Sequence, residues 1–273
     1  MRSTSIRPLV TGAFLLAVAC APQAESPGGE ATLAHPSGRP VPEAVLRMIE
    51  AHGGMGPWNE VASFRFTEEW GFPDGSTAPA TRVLVEPGAR RVAMHAVDGP
   101  SRIGWDGETA WSMNYEGMPP RFVTQLNFYF LHLPWLTMDP GVRLEESGTG
   151  RLWDDPTEYH LLKMTFDPGT GDTPDDFYDL YIDPTSHQLR ACRYVVTYRA
   201  LLQPGETHTP PHVLVYDEYA TVGGMVVPTH FTIYLEDHSP LASCTIRDWS
   251  FSEPFDASLA AMPEGAVVDT TTP

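Results

Sequence analysis

A chain of 273 residues with 35 acidic side chains against 17 basic ones carries a formal charge of −18, which repels nucleic acid and anionic membrane faces. Hydrophobic residues make up 42% and charged residues 19%, so one large core is within reach and disorder is expected only at the ends. Lys163 is the single lysine, and three cysteines leave one thiol over in any disulfide scheme.

At the N-terminus, Arg2 and Arg7 precede an apolar run over 9–18, followed by Ala19-Cys20. A charged segment, a short apolar run and a small residue before cysteine read as an export signal of the bacterial lipoprotein type. The run is too short for a bilayer core of about 30 Å. Residues 1–19 are therefore expected to be removed and Cys20 to be lipidated. Ala17 stands where such signals usually carry leucine, and ordinary cleavage near Ala19 or Ala21 is the alternative. Residues 20–40, with Pro22, Pro27, Gly28, Gly29, Pro36, Gly38 and Pro40, read as a flexible tether.

Val41, Val45, Met48, Ile49 and His52 then form one helical stripe, with Pro42 in its first turn and Gly53-Gly54 as its stop. From Val61 the pattern is β. Phe64, Phe66 and Trp70 share one parity, and segments 81–86 and 90–97 pair around Pro87-Gly88. Ile103 and Trp105 precede an Asp106-Gly107 turn, and Trp111, Met113 and Tyr115 alternate beyond it. Pro119-Pro120 opens one internal helix, with Phe122, Leu126, Tyr129, Phe130 and Leu133 at helical spacing. That helix is expected to end at Pro134 and to lay this face on the concave side of the sheet. Strands resume over 158–166, 177–183, 188–199, 212–220, 226–236 and 241–251. The spacing predicts a mainly β domain over 41–255, a curved antiparallel sheet forming a half-open barrel with an N-terminal helix and an internal helical plug. Residues 256–273 read as a polar C-terminal tail with little core contribution.

No constellation of catalytic residues emerges. The chain lacks G-x-S-x-G, H-E-x-x-H, P-loop and G-x-G-x-x-G patterns. Glu68 and Glu69 are adjacent on a strand and face opposite sides. His208 and His212 are four apart, but Pro210 and Pro211 forbid the helix that spacing needs, and His160 and His230 stand alone on strands. The acidic segment 167–176 has the oxygen donors calcium takes, but not the spacing of a calcium loop, and reads as a solvated connection. No cofactor, metal ligand or catalytic residue is assigned. Cys192 and Cys244 stand as either a disulfide or two buried thiols.

What stands out is the aromatic supply. In a curved sheet that closes incompletely, Phe64, Phe66, Trp70, Trp105, Trp111, Phe128, Tyr129, Phe130 and Trp135, with Leu126, are the expected lining of an apolar pocket. A plainly packed core predicts the same alternation.

Several pieces together resemble a known family: Ala51-His52-Gly53-Gly54 with Trp58, Trp105-Asp106-Gly107-Glu108 with Trp111, Asp139-Pro140-Gly141-Val142, Gly171-Asp172-Thr173-Pro174-Asp175-Asp176, Tyr181-Ile182-Asp183-Pro184 with Leu189, and Val222-Gly223-Gly224-Met225 with Val227-Pro228-Thr229. Over about 41–255 the chain is similar to the LolA/LolB-like lipoprotein carriers, and to their uncharacterised bacterial lipoprotein subgroup. The resemblance implies a half-open barrel with a hollow for acyl chains. It implies a non-catalytic envelope protein whose partners are a lipid or other hydrophobic molecule and, through the anchor, the outer membrane on its periplasmic side. Two alternatives remain: a structural envelope lipoprotein with a filled barrel, and an envelope hydrolase with an unassigned site. Cys20→Ser is expected to abolish anchoring, read as a shift out of the detergent-rich phase. A wild-type protein found wholly in the aqueous phase would sink the assignment.

Overall fold

The structure, a computed structural model, describes residues 34–273; the expected export segment, Cys20 and the tether up to residue 33 lie outside the described residues. The elements run α1 (Glu43–Ala51), α2 (Met55–Glu60), β1 (Phe64–Gly71), β2 (Thr81–Glu86), β3 (Arg91–Ala96), β4 (Arg102–Trp105), β5 (Ala110–Met113) and α3 (Pro120–Leu136). Then follow β6 (Val142–Gly150), β7 (Tyr159–Phe166), β8 (Tyr178–Ile182), β9 (Leu189–Tyr194), β10 (His212–Val222), β11 (Met225–Tyr234), β12 (Pro240–Ser250) and β13 (Val267–Val268). All thirteen strands form one sheet in the order β13-β5-β4-β3-β2-β1-β12-β11-β10-β9-β8-β7-β6. Two antiparallel meanders are joined where β1 pairs with β12. The edges, β13 and β6, do not pair, so the barrel stays open.

Helix α3 lies against the concave face, packed on β3, β4, β5, β11 and α1. It runs past its expected stop. Pro134 lies inside it, because the Phe130 carbonyl that Pro134 cannot satisfy accepts from the Tyr216 hydroxyl at 2.5 Å. Two elements were not legible from the pattern. Strand β6 is mostly exposed and lacks alternation, and α2 is a short turn with no buried residue. The segment read as a polar tail is tied to the sheet. Ala260 is fully buried, its carbonyl accepts from Trp111 Nε1 at 2.7 Å, and β13 pairs with β5. Cys192 and Cys244 are free buried thiols. Their strands, β9 and β12, are three places apart in the sheet, about 14 Å along it, beyond disulfide reach.

A buried histidine ties α1 to the sheet. His52 Nδ1 donates to the Val226 carbonyl at 2.8 Å, and Nε2 accepts from the Leu189 N–H at 3.2 Å. Val226 N–H returns a bond to the His52 carbonyl at 3.0 Å. Beside it, Gly53 has φ +106°, and a Cβ there would lie 2.4 Å from the Gly224 carbonyl oxygen. Only glycine permits that approach.

Under α3 two more titratable groups are sealed. His132 donates from Nδ1 to the Phe128 carbonyl at 2.8 Å, and its ring lies 4.4 Å from that of Phe64. Glu68 of β1 accepts from the Asn127 side chain. Burial lowers His52 to about 4 and His132 to about 3, and raises Glu68 to about 8.

The signs set a pH profile. Each histidine stays neutral in the fold but takes a proton below 6.5 when unfolded, so acid favours unfolding. Glu68 acts oppositely: between 4.5 and about 8 the fold keeps a proton the unfolded chain has lost, so stability falls as pH rises. Among these three groups, two histidines outweigh one carboxyl from 4.5 to 6.5, and above 6.5 Glu68 alone acts. The urea midpoint should therefore peak near 6.5 and decline towards 8, and Glu68→Gln should flatten the alkaline decline. A midpoint that keeps rising through that range would refute this account.

Candidate functional site

The second face of α3 carries Phe122, Gln125, Leu126 and Tyr129, and borders a cavity of about 730 Å³. For comparison, a dry cavity of about 150 Å³ accommodates benzene, and ligand sites span about 300–1,000 Å³. Its far wall is aromatic: Phe166 of β7, Tyr178 of β8 and Tyr194 of β9. The Tyr178 and Tyr194 rings stack at 6.1 Å, Tyr129 lies 5.4 Å from Tyr178, and Phe130 lies 4.7 Å from Tyr194. Trp105 of β4 and the β2–β3 turn at Gly88–Arg90 line the near side, and the loop 169–173 borders it as well.

Polar ties hold that loop. Arg121, at the start of α3, donates to both Asp172 oxygens at 2.5 Å and lies 4.9 Å over the Trp105 ring. Its backbone N–H donates to Asp269 at 2.9 Å, so three chain segments meet at one residue. The Asp172 carboxylate holds the Arg121 guanidinium above its ordinary range. Asp176 is buried and accepts from Thr197 N–H, Thr197 Oγ1 and Thr173 Oγ1, each at 2.7 Å. Burial pushes its carboxyl up despite those bonds. A Cβ on Gly141 would lie 2.3 Å from Thr170 Oγ1, so the Asp139–Val142 turn is pressed against the loop. Arg90 pairs with Asp139, whose carboxyl burial also raises.

Three of the four acids of 167–176 are thus spent separately. Asp167 pairs with Arg39 and Arg143, Asp172 with Arg121, and Asp176 with two threonines. Among the described residues no three side chains of metal-ligating type gather.

Of the ten expected lining residues, Trp105, Leu126, Tyr129 and Phe130 border the cavity. The other six belong to the packed half. Phe64 and Phe66 lie beneath α3 against His132 and Trp249. Trp70 meets Phe231 edge-on at 5.5 Å, and Trp111 is held by Ala260. Phe128 lies under the Arg90 guanidinium, and Trp135 stacks on Trp58 at 5.1 Å while donating to the Gly54 carbonyl at 3.1 Å. The helix itself covers that side of the sheet. Sequence reasoning missed Phe122, Gln125, Phe166, Tyr178, Tyr194 and the two arginines as lining. The strand aromatics among them fall on the inward parity, a signal identical to that of core residues.

With this geometry, comparison with solved structures is decisive for the fold. The chain is similar to a LolA superfamily protein from Nitrosomonas europaea, at 10% identity and a TM-score of 0.50, over 82% of this chain and 99% of that one. It is also similar to a DUF1329 family protein from Desulfovibrio piger, at 8% identity and a TM-score of 0.51, over 80% and 94% of the two chains. The chain has a LolA-like fold. No protein-family model and no curated protein matches its sequence. In this LolA-like sheet several turn segments act as joints: 51–54 meets 222–226 and Leu189, and 139–142 meets the loop after β7. Among the described residues no helix is long and apolar enough to cross a membrane.

Asp176→Ala should leave the Thr197 N–H and two hydroxyls without an acceptor and cost about 1–3 kcal/mol. Urea denaturation checks this, and an unchanged midpoint would remove Asp176 from the account of the loop.

Proposed function

We propose that the protein is a non-catalytic, lipid-anchored envelope protein that holds an apolar, acyl-chain ligand in the cavity beside α3. The observation that carries this reading is the aromatic cavity of about 730 Å³ between the helix and β6–β9. Burying acyl chains there releases about 0.8 kcal/mol per methylene. The LolA-like fold supports it, since an unclosed sheet with one covering helix leaves such a hollow. An anchor at Cys20 would keep the domain at the outer membrane, facing the periplasm, with lipid or a lipid-bearing protein as partner. The filled-barrel alternative requires the space beside α3 to be occupied by side chains, and the cavity there supports the binding reading over it.

The test is binding of an environment-sensitive apolar dye to the full chain, with displacement by long-chain amphiphiles. Leu126→Trp fills the cavity from its half-exposed side and should weaken binding at least about tenfold with little change in melting. Phe66→Glu buries a carboxylate in the packed half and should instead lower the melting temperature, at a cost of several kcal/mol. Unaltered dye binding in a folded Leu126→Trp protein would remove the cavity as the site.

A further inference from the structure

A second apolar cluster lies on the face of the sheet turned away from α3. Leu180, Cys192 and Leu214 point into the main core, so their chain neighbours Tyr181, Arg193 and Val213 point out on the convex side. There the segment after β6 folds over the sheet, and Leu152 is buried in one cluster with Ala191, Val213 and Val215. Beside this cluster is a cavity of about 220 Å³. A hollow of about 150 Å³ accommodates benzene and larger ligand sites begin at about 300 Å³, so this one has room for a single ring.

Its aromatic walls are held at a cost to the backbone. Trp153 has φ +53° and His238 has φ +68°, in the left-handed region that large side chains rarely adopt. They belong to separate turns, one after β6 and one between β11 and β12. Both line the cavity, and their ring centroids are 4.9 Å apart. Tyr234 meets the Trp153 ring edge-on at 4.8 Å and braces it. Turns with no other demand on them take glycine or asparagine at such positions. Two strained rings brought together over one hollow are the arrangement of a ligand clamp.

The polar rim sets the class of ligand. Arg151 and Arg193 bring guanidinium donors and Glu236 an exposed carboxylate acceptor. Arg193 is held by Asp179 at 3.2 Å, and Arg151 by Glu158 at 3.5 Å with both of the latter side chains more than half exposed. A guanidinium has several N–H donors, so one carboxylate does not exhaust it. An anion would meet Glu236 and the acids that already hold the arginines, and a cation would meet two guanidiniums. An uncharged ring rich in hydroxyls uses donors and acceptors together and lays its C–H face on the indole.

We infer that this convex-face cavity binds an uncharged sugar ring, stacked on Trp153 and hydrogen-bonded through its hydroxyls to Arg151, Arg193 and Glu236. The site is separate from the cavity beside α3 and does not depend on the acyl-ligand reading.

The experiment is a ligand-observed NMR titration of the full chain with methyl glucoside, N-acetylglucosamine, glucosamine in its ammonium form and glucuronate, rings of similar size that differ in charge. At least one of the two neutral sugars should bind about tenfold tighter than both charged ones. Trp153→Asn keeps a residue suited to positive φ and should weaken that binding at least about tenfold in a folded protein. His238→Gly removes a wall of the site together with its strain. It should weaken binding and raise the melting temperature by about 2–4 °C. Chitotriose set against N-acetylglucosamine distinguishes the sources: a gain for the trimer assigns the ring to a glycan chain, and equal binding to a free sugar. Binding of neither neutral sugar, tighter binding of a charged ring, or unchanged neutral-sugar binding in folded Trp153→Asn would overturn the inference. A lower melting temperature in His238→Gly would make that ring a packing element and overturn the strain argument on which the site rests.

Discussion

A sheet of thirteen strands has more inner face than one helix can cover. At about 4.8 Å per strand the arc is about 58 Å. Helix α3, with 17 residues, is about 25 Å long and about 10 Å wide. Its contacts fall on β3–β5, β11 and α1. That side becomes a solid core of Phe64, Phe66, His132, Trp135 and Trp249. On the side formed by β6–β9 the aromatic wall meets the helix through Tyr129 and Phe130 and borders the hollow beside them. The hollow follows from this mismatch of areas rather than from any local motif.

Holding the mismatch requires joints that resist collapse. His52 is one, bonded on both ring nitrogens between β9 and β11. A neutral imidazole with its proton on Nδ1 satisfies both partners at once; a protonated one would set Nε2–H against the Leu189 N–H. Tyr216 is another. Its hydroxyl lets α3 continue across Pro134, which brings Trp135 onto Trp58 and the Gly54 carbonyl. At the other end Arg121 joins the helix to the loop after β7 and to the C-terminal segment. Ion pairs this exposed contribute modestly to stability. Their consequence is positional, since they set the distance between the helix and the far wall.

The polar groups beneath and beside α3 are paired to different degrees. Glu68 is buried where Asn127 can reach it. Asp176 has three donors. Tyr129 Oη and Gln125 Nε2 are sealed without partners, as are Asn127 Oδ1 and His132 Nε2.

Read alone, the sequence determined the β class, most strand positions and the internal helix, because periods of two and 3.6 report directly which residues face inward. Turn pieces such as Gly53-Gly54 and Gly223-Gly224 were legible for the same local reason: backbone at positive φ needs glycine. Strand β6 and the docking of Ala260 were not legible, since exposed edges and small residues carry no periodic signal. Nor could the pattern separate lining from core. Phe66 and Tyr178 have the same inward parity, yet one is packed under the helix and the other faces the cavity. Only the placement of α3 decided that, because burial against a neighbour and burial against a hollow demand the same side chain, and the difference lies in what stands opposite.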